Sequence, residues 1–365
     1  MGIKLQNLVI RNKIEFSELA CKIIAIDAPN IVMSLFNFAR KEGVNSSGGA
    51  ILDRTQRPIS HLYGLLYRVN FFYSKKIFPI FCFDGKDSEL KKLNTKDRLN
   101  DFRFTEKWYQ KAYQSGNREL AKQIALSKEY MWQNIIQESK KLLSALGVPF
   151  IESPASAESQ CAQLVKEKIV HYSNSQDYDS LLFGCPHLLQ NVSKSLKRKI
   201  QGRWTYQKVV PYAIHLKENL NQLGIDQFQL VDMALMMETD YFPGIRSIGP
   251  KTALKLIKQY NTIETIIKKE YSKYDFLDLT HEVIMKIRKI FLVPEVVKIS
   301  DSLSWTFPNE PQILSLLCEE HNLNRERVEN NVTKLITNFE KCKSYFEGNF
   351  GKLRNLQTTL DSTFI

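Results

Sequence analysis

Cysteine is scarce in this sequence, and what there is lies scattered. The six cysteines, Cys21, Cys82, Cys161, Cys185, Cys318 and Cys342, form no pair at zinc-knuckle or redox spacing. That excludes a small zinc module, a thiol redox centre and a disulfide-stapled scaffold, and it predicts a reducing, intracellular setting. Glycine and proline are sparse too, 15 and 12 residues of 365, which excludes a collagen-like or low-complexity chain. Long hydrophobic runs are missing: the longest, such as Ile77–Phe83, fall far short of the ~20 residues of a membrane-spanning helix. Met1-Gly2-Ile3-Lys4 opens no continuous apolar stretch of the kind a secretion signal needs, and Gln6 stands where a myristoylation motif carries Ser or Thr. Acidic charge is in deficit, with 39 Asp+Glu against 51 Lys+Arg, a formal net charge of +12. The excess predicts a polyanionic partner, nucleic acid ahead of an anionic membrane surface.

What is present reads as an ordinary folded protein. Charged residues make up 25% and hydrophobic residues 43%, and the length suits one large domain or two modest ones. The first half alternates strand and helix signals. Lys22–Ile26 is a β-branched run ending at Asp27, Ser60–Tyr73 is apolar at helical spacing, and Ile77–Phe83 is a continuous apolar strand that stops at Asp84-Gly85. From Ser88 to about Ser144 the sequence turns helical, polar and basic, with a break at Ser115-Gly116-Asn117. Val148–Ile151 predicts a strand, Ala155 to Lys168 a helix, and Ile169–Ser175 a weaker strand. This alternation predicts an α/β fold, a parallel sheet with helices on its faces. From Gln227 onward the pattern is helices and turns, and Ser344–Ile365, with Gly348 and Gly351, reads as a mobile tail.

Acidic residues recur where the strands end. Asp27 and Asp84 close two strands, Glu158 lies in the first helical turn after Val148–Ile151, Asp177 and Asp179 follow the 169–175 strand, and Asp240 ends the helical run Leu230–Met237. Ligands of open parallel sheets bind outside the carboxyl ends of the strands, so these groups converge. Bare carboxylates side by side repel, and cations between them relieve the repulsion. With no His or Cys at these positions, the oxygen donors select Mg²⁺ or Mn²⁺ over zinc. Two such ions, about 3.5–4 Å apart, are the usual device for phosphodiester hydrolysis. Each residue taken alone also fits a helix N-cap or a turn; the recurrence in strand-end register is what points to a metal site.

The motifs around these residues carry a resemblance. Ile26-Asp27-Ala28, Ser60-His61-Leu62 with Leu66-Tyr67-Arg68, Phe83-Asp84-Gly85, Glu152-Ser153-Pro154 with Ala157-Glu158, Ser175-Gln176-Asp177-Tyr178-Asp179, Thr239-Asp240-Tyr241 and Ile245-Arg246-Ser247-Ile248-Gly249-Pro250-Lys251 occur in order over essentially the whole chain. In sequence and spacing they resemble the flap endonucleases, the structure-specific 5′ nucleases of archaeal and eukaryotic DNA replication. The resemblance implies a PIN-like 5′-nuclease core in a single nuclease domain, residues 1–343, with a helical cap at about 85–130 and a helix–two-turn–helix at about 227–260. It implies a 5′ flap endonuclease of replication and repair, serving Okazaki fragment maturation and long-patch base excision repair. The rivals are a 5′–3′ exonuclease or gap endonuclease of the same superfamily, a catalytically weakened DNA-structure-binding clamp accessory, and an RNA-directed nuclease of a related smaller fold.

The implied metal ligands, for two Mg²⁺ or Mn²⁺, are Asp27, Asp84, Glu158, Asp177, Asp179 and Asp240. A seventh family carboxylate falls on Ser156, and Glu238 stands where the family usually has Gly, either compensating or facing solvent. Met33 replaces a Tyr that stacks on a base, a contact worth about 1–3 kcal/mol. Lys91 and Arg98 share a helical face with Asn94 and Thr95 and match the basic pair over the scissile phosphate; read alone, that face is a solvated one with Glu89, Asp97 and Asp101 as partners. Lys107, Trp108, Tyr109 and Lys111 fall in the cap. Gly2, Arg40, Arg68, Gly249, Lys251 and Thr252 are the implied DNA contacts, with K⁺ held by the helix–two-turn–helix. Lys194, Lys197, Arg198 and Lys199 form a further basic cluster, either touching duplex or lying on a solvated hairpin. Gln357, Leu360 and Phe364 fit a sliding-clamp (PCNA) box, with Thr363 in place of its first aromatic. The expected partners are 5′-flapped branched DNA and the sliding clamp, with no membrane, for a monomer working in the cytoplasm or nucleoid, or in a nucleus.

Overall fold

The computed structural model describes residues 3–42, 52–85, 98–125, 128–192, 197–200, 203–206, 209–299 and 303–361. Their elements run β1 (Asn12–Lys13), β2 (Lys22–Asp27), α1 (Ala28–Glu42), α2 (Ser60–Ser74), β3 (Ile77–Phe83), α3 (Arg98–Gln114), α4 (Arg118–Ala125), α5 (Lys128–Ala145), β4 (Phe150–Glu152), α6 (Ala157–Lys166), β5 (Tyr172–Asn174), the single turn α7 (Asp179–Leu182), β6 (His187–Gln190), β7 (Lys197–Ile200), β8 (Arg203–Tyr206) and β9 (Tyr212–His215). Helices follow: α8 (Leu216–Leu223), α9 (Gln227–Met236), α10 (Pro250–Tyr260), α11 (Ile263–Glu270), α12 (His281–Leu292), α13 (Glu310–Leu314), a π-helical turn at Ser315–Glu320, and α14 (Arg325–Asp361). No described helix is long and apolar enough to cross a membrane.

One sheet of seven strands organises the molecule, in the order β1-β9-β6-β5-β2-β3-β4. β2 pairs in parallel with β3 on one side and β5 on the other, while β3–β4 and β5–β6 are also parallel. The chain therefore turns one way from β2 to reach β3 and β4, and the other way to reach β5 and β6. That reversal puts a crevice at the carboxyl end of β2. β9 and β1 add an antiparallel edge, so the sheet is mixed rather than wholly parallel. The edge strands escape a sequence reading because they are short, and pairing rather than a long apolar pattern defines them.

Both faces are covered, as a central parallel sheet requires. β3 is buried along its whole length, which is why its sequence is apolar without alternation. Ile24, Ile26, Phe81 and Phe83 pack with Leu62, Leu65 and Leu66 of α2 and Val332, Leu335 and Phe339 of α14. Ala25, Ile80 and Cys82 face the other side, with Ala157 and Cys161 of α6 and Leu230, Val231 and Ala234 of α9.

The aperiodic reading of Ser344–Ile365 is corrected by the backbone, which is helical through Asp361 in α14. Gly348 and Gly351 each cost a helix about 1 kcal/mol, but extending an existing helix is far cheaper than starting one. Its buried stripe of Val328, Val332, Leu335, Phe339, Cys342 and Phe346 supplies that start.

The last third is held by one buried cation. Arg288 of α12 donates to Asp232 of α9 at 2.8 and 2.7 Å, and to Glu264 of α11 at 2.5 and 2.9 Å. Asp232 is fully buried and also accepts the Ile263 N–H at 2.9 Å. Arg288→Met leaves Asp232 as an uncompensated buried charge, so denaturant unfolding should show a loss of about 3–5 kcal/mol. A loss below about 1 kcal/mol would contradict this reading.

Candidate active site

Asp27 ends the central strand at the switch point and is 4% exposed. Ser175, just past β5, donates its hydroxyl to Asp27 Oδ2 at 2.9 Å and lies 3.3 Å from Glu158 Oε1. Its oxygen also accepts the Asp177 N–H at 3.2 Å. Asn30, in the first turn of α1, donates to Asp177 Oδ2 at 3.1 Å. Asp179 begins α7, is 4% exposed, and accepts the Ile3 N–H at 2.7 Å, so the N-terminal segment fixes it.

The other acidic groups come from separate elements. Asp84 follows β3, and its Oδ1 accepts the Ala157 N–H at 2.8 Å, tying it to the start of α6. Gly85 makes this approach possible: a Cβ there would lie 1.8 Å from the Ser153 carbonyl oxygen. Glu158 sits in the first turn of α6, where the helix dipole favours negative charge. Asp240 stands in the turn after α9, which closes when Thr239 Oγ1 accepts the Tyr241 and Phe242 N–H groups at 3.3 and 3.2 Å.

All six carboxylates line one cavity of about 120 Å³, together with Asn30, Ser156 and Tyr241. Among the described residues no three acidic, His or Cys side chains are already gathered as a closed ligand set; the carboxylates ring the space. Burial first, and mutual repulsion after it, raises the proton affinity of three of them. Burial, followed by the charge of Asp84, pushes the Asp27 carboxyl up to about 7. Burial, then the charges of Asp179, Asp27, Asp177 and Asp84, pushes Glu158 well above the carboxylate range. Burial likewise pushes Asp179 up to about 7, against the pull of the Ile3 N–H. The donors are oxygens throughout, so the set suits a hard divalent cation, whose charge reverses this repulsion.

The departures at Ser156, Glu238 and Met33 acquire local explanations. Ser156 is the N-cap of α6, and its Oγ accepts the Ser159 N–H at 3.1 Å. Glu238 lies 3.5 Å from Lys4 Nζ at the surface and is not among the cavity-lining residues, in keeping with its solvent-facing reading. Met33 packs beside Val32, Phe36 and Ile135. Sequence reasoning missed Ser175 and Asn30 as site residues. The signal for Ser175 was its place two residues before Asp177, which marks a short side chain able to turn back onto the strand ends.

The basic residues are less gathered. Gly249, Lys251 and Thr252 lie at the N-terminus of α10, with Pro250 at its first position. A Cβ at Gly249 would meet nothing within 4 Å, so the fold itself does not demand glycine there. Lys251, Lys255 and Lys258 line one groove with Leu8. Arg68 turns inward, donating to the Val192 carbonyl at 3.3 Å. Arg40 falls in α1, Arg98 opens α3, and Lys197, Arg198 and Lys199 form β7, paired with β8. Gln357 and Leu360 fall on the helical backbone of α14. Gly2, Lys91, Asn94, Thr95, Lys194, Thr363 and Phe364 lie outside the described residues.

Fold and site together define a class: a metal-dependent nuclease built around the switch point of a wound sheet. Comparison with known proteins narrows the class. The XPG N-terminal domain model matches residues 1–102 and the XPG I-region model residues 147–240. The chain is 36% identical to Flap endonuclease 1 of Methanosarcina acetivorans over 92% of this chain and 96% of that protein. It is 33% identical to Flap endonuclease 1 of Aeropyrum pernix over the full length of both. The solved flap endonuclease-1 from Methanococcus jannaschii superposes with a TM-score of 0.70 at 26% identity, covering 93% of this chain and 99% of that one. The catalytic core of Rad2, solved in complex with DNA substrate, shares the fold at a TM-score of 0.61 and 20% identity, over 89% of this chain and 95% of that one. The chain belongs to the flap endonuclease family.

Asp27→Asn removes one of the repelling charges while keeping an acceptor for Ser175. In chelator, its melting temperature should exceed that of the parent protein by about 2 °C or more, while metal-supported cleavage is lost. An unchanged or lower melting temperature would show that the carboxylates do not strain the fold. Ser156→Ala should lower stability by about 1 kcal/mol through loss of the cap. It should leave the Mg²⁺ concentration for half-maximal cleavage unchanged; an increase would place the hydroxyl among the metal's ligands.

Proposed function

We propose that this protein is a metal-dependent structure-specific endonuclease that cuts one phosphodiester at the base of 5′ flaps in DNA, as in Okazaki fragment maturation and long-patch base excision repair. The observation that carries this reading is the convergence of six carboxylates, from separate parts of the chain, on one cavity at the sheet's switch point. Asp27, Asp84, Glu158, Asp177, Asp179 and Asp240 would hold the metal, and we assign two Mg²⁺ to them, with Mn²⁺ as a substitute. Bound there, such ions would supply Lewis-acid activation of water and neutralisation of phosphate charge.

The chain's own residues do the rest. Ser175 and Asn30 hold Asp27, Glu158 and Asp177 in place, and the α6 amide at Ala157 holds Asp84. Lys91 and Arg98, on the segment leading into α3, are assigned to the developing negative charge of the phosphate. Gly249, Lys251 and Thr252 offer backbone N–H groups and positive charge to duplex phosphates, with K⁺ assigned to the same turn. Gly2 and Arg40 are assigned to further DNA contacts; Arg68 is held inward by the Val192 carbonyl. Such contacts position the duplex without reading bases, so selectivity is for shape. Gln357, Leu360 and Phe364 are assigned to a sliding clamp. We take residues 1–343 as one nuclease domain of an intracellular, monomeric enzyme.

The test is cleavage of a labelled double-flap DNA across Mg²⁺ and Mn²⁺ concentrations. Cutting at the junction, abolished by Asp179→Ala with flap binding retained, is the expected result. Tight binding with no cutting at any metal level would replace the enzyme by a DNA-binding accessory. Deleting residues 357–365 should leave intrinsic cutting intact and remove stimulation by the clamp.

A further inference from the structure

A second set of buried ionisable side chains lies apart from the carboxylate cavity. His321 is 3% exposed and follows directly on the π-helical turn Ser315–Glu320. Its Nδ1 lies 2.9 Å from Asp53 Oδ2, and its Nε2 lies 3.3 Å from Glu138 Oε1 on α5. Glu138 Oε2 in turn lies 3.0 Å from Nε2 of the fully buried His61 on α2. Each ring nitrogen of His321 thus faces a carboxylate. Four ionisable side chains so deeply buried are costly unless paired, and truncating one partner exposes that cost. Nothing in phosphodiester hydrolysis requires them.

What they hold is a turn. While Asp53 Oδ2 meets His321, Asp53 Oδ1 accepts from Thr55 N, Thr55 Oγ1 and Arg57 N at 2.7, 2.7 and 2.9 Å. One carboxylate therefore builds the turn with one oxygen and moors it with the other. The Leu52–Pro58 bridge closes its base. The far side of the turn grips the cap helix α3. Tyr109 donates its hydroxyl to the Thr55 carbonyl, the Arg57 guanidinium lies 4.8 Å over the Tyr109 ring, and Arg57 Nη2 lies 3.5 Å from Glu106.

We propose that His321 is a positioning residue for cleavage: bracketed by Asp53 and Glu138, it moors the turn Asp53–Arg57, which anchors cap helix α3 through Tyr109 and Glu106. This rests on the functional reading above, because α3 opens with Arg98, which is assigned there to the negative charge of the phosphate. A moored α3 fixes the helix that carries Arg98, and a loose α3 does not. From His321 to α3 the coupling runs through contiguous contacts with named atoms at each step, which makes it open to direct test.

The experiment is amide hydrogen exchange across residues 105–114 of the full-length protein, paired with single-turnover flap cleavage at saturating enzyme. His321→Gln reaches only one carboxylate, and Tyr109→Phe leaves the buried cluster intact. Each should speed exchange in α3 by about tenfold, and the double variant should go no further than the more affected single. Cleavage should slow by about tenfold with flap affinity changed by less than about threefold, a split that general destabilisation would not produce. Should His321→Gln fail to fold, Arg57→Leu cuts the turn from α3 without touching the cluster, and it should give the same α3 exchange. Unchanged α3 exchange in Arg57→Leu and Tyr109→Phe, or a His321→Gln protein with lowered melting temperature and parental α3 exchange, overturns the proposal. Failure of the parent protein to cut flaps would instead strike the functional reading, and the exchange data would still decide whether His321 moors α3.

Discussion

Like-charge repulsion at the carboxyl end of one strand is the constraint around which this molecule is arranged. Asp27 cannot leave the site, because it terminates a strand pinned on both sides by parallel neighbours. Asp84, Asp177 and Asp179 follow those same neighbours, so the register that builds the core also forces acidic groups together. The fold contains this repulsion with polar groups at fixed places: the Ser175 hydroxyl, the Asn30 amide, the Ala157 N–H at the start of α6 and the Ile3 N–H. It leaves Asp27, Glu158 and Asp179 with raised proton affinity. A site held in this state gains stability from a cation and gives it back on the cation's loss. Strain kept at a functional site and balanced by packing elsewhere is a common bargain in enzymes.

The same logic separates the roles of the two halves. The sheet and its helices supply rigidity, with β3 wholly buried and both faces covered. The helices after β9 pack onto that core, with α9, α11 and α12 bound to one another by the Arg288 cluster. That cluster spans α9, α11 and α12, and α9 leads through the turn bearing Asp240 to the N-terminus of α10. The residue that completes the carboxylate ring and the residues suited to duplex phosphates therefore lie within one short stretch. The spacing between Asp240 and the N-terminus of α10 is set by a turn closed on Thr239.

Much of this was legible in the sequence. β3 could be read to the residue because a strand buried on both faces shows as an unbroken apolar run. Asp27, Asp84, Glu158, Asp177, Asp179 and Asp240 could be placed together because parallel topology dictates where strand ends meet, and the structure does bring all six to one cavity. Ser175 and Asn30 were not legible as site residues, since a hydroxyl and an amide signal nothing until a carboxylate is beside them. The antiparallel edge, β6 with β9 and β1, was missed because strands of two to four residues exist only through their partners. The helix through Gly348 and Gly351 was missed because local propensity was weighed without the packed turns that precede it. Ser156 looked like a missing charge, and its use as a helix cap appears only when the start of α6 is fixed in space.

The central claim is that these carboxylates form a strained, cation-accepting ring, and thermal melting across a Mg²⁺ titration without DNA tests it most directly. The account predicts a melting temperature that climbs and then levels as the ring is filled, with a far smaller rise in Asp179→Asn. Identical melting with chelator and with saturating Mg²⁺ would contradict it.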